Sequence, residues 1–230
     1  MAGNTDNGAD QERKLGLIKR LWNRISRPSK SLALGTLLSV GFVVGVMFWG
    51  GFNWTLELTN TEAFCISCHE MEKNVYKEYK ETVHYTNRTG VRATCPDCHV
   101  PKKWTHKIIR KIKASKELYH KLLGTIDTPE KFKKNRLWMA MSEWKRMKET
   151  DSRECRNCHN FGSMDLEKQD SRSADQHDPH VWEVLDNKTP TKTCIDCHRG
   201  IAHKLPKGAE EAAQKLFKSL ESKTTAKPKT

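Results

Sequence analysis

One long apolar run interrupts an otherwise polar chain. Residues 31–56 contain no charged side chain, and as an α-helix they would extend about 39 Å, enough to cross the hydrocarbon core of a bilayer. Trp49 and Trp54 lie near the end of this run, and amphipathic rings of this kind favour the membrane–water interface. The pattern predicts a transmembrane anchor over residues 31–56.

Basic residues before the run predict its orientation. Residues 1–12 are polar, and residues 13–30 contain Arg and Lys but no acidic side chain. The positive-inside rule therefore makes residues 1–30 a cytoplasmic basic tail and places everything after residue 57 across the membrane. A cleaved signal peptide is the alternative, and it would have a shorter apolar region followed by a small-residue cleavage site. No such site follows the run, so we favour an uncleaved anchor.

Two glycines inside the run, Gly41 and Gly45, form a G-x-x-x-G pair. Such a pair lets two membrane helices pack closely and predicts a homodimer. Glycine is also frequent in membrane helices in general, so the pair by itself leaves both interpretations open.

Apolar residues recur at helical spacing in two stretches beyond the run. The first covers residues 104–124, and the second begins after Thr128, which would cap the helix, with Pro129 in its first turn. A C-terminal helix and a mobile tail are expected over residues 207–230. The chain is therefore predicted to be mainly α, with one small domain over residues 57–206.

Composition argues against a large aliphatic core in this domain, since only 36% of the residues are hydrophobic and 30% are charged. All eight cysteines instead fall into four copies of one pattern, Cys-x-x-Cys-His. The cysteines are Cys65, Cys68, Cys95, Cys98, Cys155, Cys158, Cys194 and Cys197, and the adjacent histidines are His69, His99, His159 and His198.

This pattern is the attachment site of c-type haem. Two thioether bonds hold the porphyrin, and the adjacent histidine binds the iron as an axial ligand. Four covalently bound haems, each a large apolar plate, would also supply the missing core. Zinc sites or disulfides in a scaffold protein are the alternatives, and a repeated motif that uses every cysteine disfavours them. Because c-type haem is attached outside the bacterial inner membrane, we expect the haem domain in the periplasm.

The formal net charge of +13 raises the question of nucleic-acid binding. Four haems bring two propionate groups each, which would offset more than half of this excess. Several of the basic residues also lie beside the apolar run. We therefore expect no nucleic-acid partner.

The motifs form two pairs, which predicts two duplicated dihaem units. A histidine outside the motifs lies between the members of each pair: His84 in the first, and His177 or His180 in the second. The last two are three residues apart and would share one helical face. Bis-histidine coordination gives low potentials and a Met ligand raises them. Met71, close after His69, is therefore a second candidate ligand of the first haem.

Longer phrases around the motifs resemble the NapC/NirT family of tetrahaem quinol dehydrogenases. These phrases are FCISCHEM, VYKEYKETVHYTNRTGVRATCPDCHVP, ASKELYHKLLGTIDTPEKF, DSRECRNCH and TCIDCHRGIAHKLP. The resemblance implies a membrane-bound protein that oxidises quinol and passes electrons through its haems to a periplasmic reductase, typically nitrate reductase. Nitrite and trimethylamine N-oxide reductases are the other partners served by this family. The ligands it implies outside the motifs are His84, His177 and His203, with Met71 at the first haem.

Quinol releases two electrons and two protons, whereas a haem accepts one electron, so the site needs a proton acceptor beside a haem. The resemblance places Asp97, inside the second motif, near the open face of the first haem. Arg92 is a candidate to hold the quinol oxygen or a propionate, and ordinary solvated charge is the alternative for both residues. A terminal reductase acting at an open haem is a further alternative, which the lack of a Cys-x-x-Cys-Lys motif disfavours.

Overall fold

The computed structural model describes residues 33–179 and 192–225, together with residues 16, 19, 20, 22 and 23. Its contacts divide the chain into two compact units, with the boundary between Leu56 and Glu57. Regular structure in the described residues is helical throughout, which confirms the prediction of a mainly α chain. The predicted basic tail and the predicted mobile C-terminus fall largely outside these residues.

The apolar run forms helix α1, Leu34–Leu58. Among the described residues it is the one helix long and apolar enough to cross a membrane, and none of its residues is buried by the protein. Two of its polar side chains bond to the helix backbone: Asn53 donates to the Trp49 carbonyl and Thr55 to the Gly51 carbonyl, both at 2.8 Å. This pairing satisfies polar groups that would otherwise face hydrocarbon.

The second unit is built from three long helices and several short ones. In chain order they are α2 Glu62–Ile66, a π-helical segment Met71–Tyr76, α3 Lys77–Tyr79, α4 Cys95–His99, α5 Trp104–Leu122, α6 Pro129–Glu149, α7 Ser171–His177, α8 Cys194–Cys197 and α9 Ala209–Thr225. Single 3₁₀ turns lie at Cys155–Asn157, Phe161–Ser163 and Leu166–Lys168.

The sequence signals for the long helices are confirmed. Helix α5 ends just before Gly124, whose φ of 64° is in the left-handed region that glycine adopts without strain. Helix α6 begins at Pro129, and the Thr128 hydroxyl accepts a hydrogen bond from the Lys131 backbone N–H. Because proline fixes the first turn and needs no amide partner there, this boundary is specified locally. The expected helix after residue 207 is α9.

The apolar core of the second unit is small and lies where α9 packs on α6 and α8. Its buried residues are Trp144, Ile195, Ala209, Ala213 and Phe217. Ala213 is fully buried, and small side chains at this position let the two helices approach closely. The cations of Lys148 and Arg199 lie over the Phe217 ring, 5.1 and 5.4 Å from its centre. Charged groups therefore begin immediately at the edge of this core.

Phe217→Ala should lower the free energy of unfolding of the haem-loaded protein by about 3 kcal/mol, since removing a buried ring loses apolar burial and leaves a cavity. Thermal unfolding followed by circular dichroism measures the change. Val83→Ala is the control, because Val83 is 70% exposed and such substitutions change stability by no more than about 0.5 kcal/mol. Equal destabilisation by both variants would contradict the placement of α9 in the core.

Candidate haem-binding site

Two of the four attachment motifs open with the same hydrogen-bonded turn. In α4, Asp97 Oδ2 accepts from the Thr94 backbone N–H at 2.8 Å and from the Thr94 hydroxyl at 2.6 Å. In α8, Asp196 Oδ2 accepts from the Thr193 N–H at 2.7 Å and from its hydroxyl at 3.0 Å. Each turn is a capping box that fixes the start of the helix. The repeated Thr-Cys-x-Asp-Cys-His sequence carried this signal, and our reading of the sequence missed it.

The first cysteines of neighbouring motifs lie side by side. The Cys65 thiol is hydrogen-bonded to Cys95, which lowers the pKa of Cys65 to about 7. Cys155 and Cys194 repeat this arrangement, and their hydrogen bond lowers the pKa of Cys194 to about 6. None of the described cysteines forms a disulfide. The structure therefore brings motif one against motif two, and motif three against motif four.

Three pairs of histidine rings face each other across nearly the same distance. The ring centres are 6.2 Å apart for His84 and His159, 6.3 Å for His99 and His203, and 5.8 Å for His177 and His198. With metal–nitrogen bonds of about 2 Å, two imidazoles on opposite sides of one metal ion have ring centres about 6 Å apart. Each pair therefore leaves the space that one iron ion requires, and each joins a motif histidine to one outside the motifs.

Two of these rings are oriented by a neighbouring side chain. Nδ1 of His99 is 2.8 Å from the Glu143 carboxylate, and Nδ1 of His177 is 2.6 Å from the Gln169 amide oxygen. Such a bond fixes the tautomer and leaves Nε2 for a metal, as in other metal-ligating histidines. Nδ1 of His84 is buried with no hydrogen-bond partner among the described residues, which is where a further bound group is expected.

Burial keeps several of these rings neutral. It lowers the pKa of His203 to about 4, with nearby His99 as a second cause. Burial also lowers the pKa of His84 and of His198, and neighbouring histidines act in the same direction. A histidine must be neutral to bind a metal, so the environment of these rings suits axial ligation of haem iron.

Arg146 of helix α6 contacts both the second and the third motif. Its guanidinium contacts the Glu143 carboxylate at 2.6 Å and donates to the Cys98 carbonyl at 3.2 Å. It also reaches Glu154, the residue before Cys155, at 3.1 Å. Burial opposes ionisation of Glu143, but His99 and Arg146 outweigh it and hold the pKa of this carboxyl well below its usual range.

The third and fourth motifs are joined by a buried hydroxyl. Ser152 has no exposed surface; its hydroxyl donates to the Thr193 hydroxyl and accepts from the Ile195 backbone N–H, both at 3.2 Å. Its backbone lies in the left-handed region, with φ of 46°. Lys148 of α6 adds an ion pair to Asp196 at 2.6 Å. Polar contacts thus fix these two motifs relative to each other.

A separate ion pair holds the segment that follows His203. Arg136 of α6 binds both oxygens of Glu78, at 2.8 and 2.5 Å, and donates to the Lys204 carbonyl at 2.6 Å. Glu78 in turn accepts from the Lys204 backbone N–H at 2.9 Å. The bidentate geometry is typical of strong Arg–carboxylate pairs. It fixes the backbone beside the His203 ring.

The first motif differs from the other three. His69 faces no second histidine ring among the described residues; its Nε2 lies 3.3 Å from the Asp127 carbonyl and its Nδ1 3.4 Å from Glu70. Met71 begins the π-helical segment in the next turn. Whether Met71 or His69 ligates the first haem stays a prediction.

The choice between His177 and His180 is affected by where α7 ends. His177 is the last residue of that helix, and Asp178 leaves helical geometry with ψ of 122°. Whether the two histidines share one helical face stays a prediction. His180 itself lies outside the described residues.

Asp97 and Arg92, the predicted quinol-site residues, lie in different surroundings. Asp97 lines a cleft of about 250 Å³ together with Glu57, Asn60, Thr94, Pro96, Val100, Pro101, Lys102 and Lys107. Arg92 is not in this lining: it is paired with the Glu62 carboxylate and stacks 4.2 Å from the Tyr85 ring centre. The structure therefore does not bring Arg92 and Asp97 together in one cleft.

Comparison with known proteins agrees with the cysteine motifs. The family model described as "NapC/NirT cytochrome c family, N-terminal region" matches residues 27–208. "Cytochrome c-type protein NapC" of Escherichia coli strain K12 is 60% identical over 197 residues, 86% of this chain and 94% of its own. "Denitrification system component NirT" of Stutzerimonas stutzeri is 56% identical over 207 residues, 90% of this chain and 98% of its own.

A more distant relative has a longer chain. "Cytochrome c-type protein TorC" of Escherichia coli strain K12 is 42% identical over 190 residues, which are 82% of this chain but 47% of TorC. No solved structure matches the chain.

Proposed function

We propose that this chain, which belongs to the NapC/NirT cytochrome c family, takes electrons from membrane quinol and passes them through four c-type haems to a periplasmic reductase. The observation that carries this proposal is the set of three histidine pairs spaced for one iron each, beside four Cys-x-x-Cys-His motifs. Each haem, when bound, accepts and donates a single electron. The protein supplies the attachment, the axial ligands and the proton acceptor.

The facing rings support a specific ligand assignment. We assign His203 to the haem of His99, His84 to that of His159, and His177 to that of His198. The remaining haem, attached at Cys65 and Cys68, has His69 and Met71 as its candidate ligands. The matching contacts of Cys65 with Cys95 and of Cys155 with Cys194 support two duplicated dihaem units.

Helix α1 supports a single-pass anchor in the inner membrane. It contains no charged residue before Glu57. The basic residues over 13–30 favour a cytoplasmic N-terminus, and so a haem domain in the periplasm. The G-x-x-x-G pair of Gly41 and Gly45 would let two copies of this helix pack closely, and we propose a homodimer through this face.

The cleft lined by Asp97 is our candidate for the quinol site. Glu57, which follows the apolar run directly, lies in its wall and pairs with Lys107 at 2.5 Å. Because Glu57 follows the apolar run directly in sequence, we infer that a substrate dissolved in the bilayer can reach this cleft. Asp97 uses Oδ2 for the capping box, and its Oδ1 makes no hydrogen bond to another described residue. That oxygen is therefore available to accept a proton as quinol gives up its electrons.

Arg92 has a different role in this proposal. Its pairing with Glu62 joins the helix that carries Cys65 to the segment leading into Cys95. Burial, Tyr85 and Glu62 raise the pKa of neighbouring Tyr76 to about 12, so this tyrosine stays neutral. Of the two roles expected for Arg92, we retain the contact with a propionate and not the contact with quinol.

We propose a nitrate reductase as the partner, because NapC of Escherichia coli is 60% identical to this chain. The similarity to NirT and TorC keeps nitrite and trimethylamine N-oxide reductases as alternatives.

The ligand assignment predicts that two distant substitutions affect one haem. Glu143→Gln should raise the midpoint potential of a single haem, because the carboxylate stabilises the ferric state through His99. His203→Met should raise the potential of that same haem, since thioether replaces imidazole. Potentiometric titration followed by electron paramagnetic resonance resolves the haems. Gln169→Glu, beside His177, is the control and should shift a different haem; shifts of two different haems by Glu143→Gln and His203→Met would contradict the pairing.

The quinol site predicts a difference between two equivalent aspartates. Asp97→Asn should lower the rate of haem reduction by quinol at least tenfold, because an amide keeps the cap but accepts no proton. Asp196→Asn changes the same capping position in α8 and should leave the rate near that of the unaltered protein. Both variants must hold a full haem complement by absorption spectroscopy. Similar rates of haem reduction in the two variants would contradict the role of Asp97 as the proton acceptor.

The partner is identified by electron transfer in solution. Protein reduced by a quinol analogue should be reoxidised rapidly by periplasmic nitrate reductase with nitrate, as followed by the loss of reduced-haem absorption. Nitrite reductase and trimethylamine N-oxide reductase, each with its substrate, provide the comparison. Faster reoxidation by either enzyme would identify that enzyme, and not nitrate reductase, as the electron acceptor.

A further inference from the structure

Helix α5 presents an apolar face that no other described part of the protein covers. We call this face the α5 stripe; it consists of Ile109, Ile112, Tyr119 and Leu122. Ile112 is 68% exposed and Tyr119, two turns later, is 58% exposed. Residues seven apart lie on one side of a helix, so the stripe is continuous along α5. Apolar faces of this length are uncommon on surfaces that contact only water.

The residues beside the stripe are basic. Lys113 and Lys116 are exposed next to it, and Lys102 and Lys103 precede the helix. Glu117 is the sole acidic residue in the sequence of α5, and its carboxylate is paired with Arg110 at 3.0 Å. An apolar face bordered by cations is the pattern of helices that lie in the interface of an anionic membrane.

The inward side of α5 is bound to the segment that follows the apolar run. Lys107 pairs with Glu57 at 2.5 Å, and Lys111 donates to the Thr59 carbonyl at 2.7 Å and to its hydroxyl at 2.8 Å. Burial lowers the pKa of Lys111, although Cys65 and Glu57 oppose this. Glu57 is the first charged residue after residues 31–56, so the first turns of α5 lie where the chain would leave a bilayer.

From these three observations we propose that α5 lies along the membrane surface, with the stripe among lipid acyl chains and its lysines on anionic phospholipid phosphates. This surface goes beyond electron transfer and rests on the proposed function only through the anchor in α1. Lipid is favoured over a protein partner because both the charge beside the stripe and the contacts of its inward side point to the membrane boundary. A helix held in this way would fix Lys107, and with it the Asp97 cleft, at the level of the lipid headgroups.

The test uses the full haem-loaded chain in nanodiscs of phosphatidylcholine and phosphatidylglycerol that contain a phospholipid with a diazirine on its acyl chain. After illumination, mass spectrometry locates the labelled peptides. We expect label in α1 and in the peptides that contain Ile112 and Tyr119. Label in α1 without label in α5 overturns the proposal while leaving the anchor intact. Absence of label from both helices overturns the anchor as well.

Two variants distinguish insertion of the stripe into lipid from non-specific labelling of exposed apolar side chains. Ile112→Ser combined with Tyr119→Ser should reduce α5 labelling at least fivefold, with α1 labelling and the haem spectrum unchanged. Val91→Ser, at a side chain outside α5 that is 67% exposed, is the control and should leave α5 labelling unchanged. If the stripe variant labels like the control, the stripe is not in the lipid.

The contribution of the lysines to membrane binding is tested with two double variants. Lys113→Gln with Lys116→Gln should reduce α5 labelling in anionic nanodiscs to the level found in pure phosphatidylcholine. Lys133→Gln with Lys134→Gln, which are exposed on α6, should have no such effect. A stripe that stays unlabelled in every nanodisc but is protected from hydrogen exchange by a nitrate reductase would identify a protein-docking face and overturn the lipid assignment.

Discussion

The separation of about 6 Å between facing imidazole rings is the constraint on which the second unit depends. His99 and His203 come from distant parts of the chain, and so do His84 and His159. Two imidazole rings at this distance are not in van der Waals contact, so their direct interaction contributes little to stability. The surrounding protein must therefore hold them apart, and an iron ion bound between them would join parts of the sequence that are far apart.

Charged contacts provide most of that positioning. Arg146 joins Glu143 beside His99 to Glu154 beside Cys155, and Arg136 fixes the backbone after His203 through Glu78. Burying such groups is costly unless each is paired, and the partly buried Arg136, Glu143 and Arg146 of α6 are all paired. This explains how a chain with a small apolar core maintains a defined geometry. The polar network replaces the aliphatic packing that composition disfavoured.

Local signals were sufficient for much of the structure. The Thr128–Pro129 start of α6 and the Gly124 end of α5 were predictable because neighbouring residues specify them. The contacts of Glu143 with His99 and of Ser152 with Ile195 were not, because they join residues far apart in sequence and any of several acidic or hydroxyl side chains could have made them. The pairing of Arg92 with Glu62 was not predictable either, because the two residues are 30 positions apart in the sequence. The capping contact between Thr94 and Asp97 differs from these, because the two residues are only three positions apart and the contact could have been predicted from the sequence.

Helix α6 also imposes an order of events on the growing polypeptide. The ribosome completes the turn of Cys95 and Cys98 before it makes the arginine that will bind the Cys98 carbonyl. The turn of Cys194 and Cys197, by contrast, is synthesised after Lys148 and Ser152, the two residues that contact it. The second motif is therefore completed before the residue of α6 that contacts it, and the fourth motif after the residues that contact it.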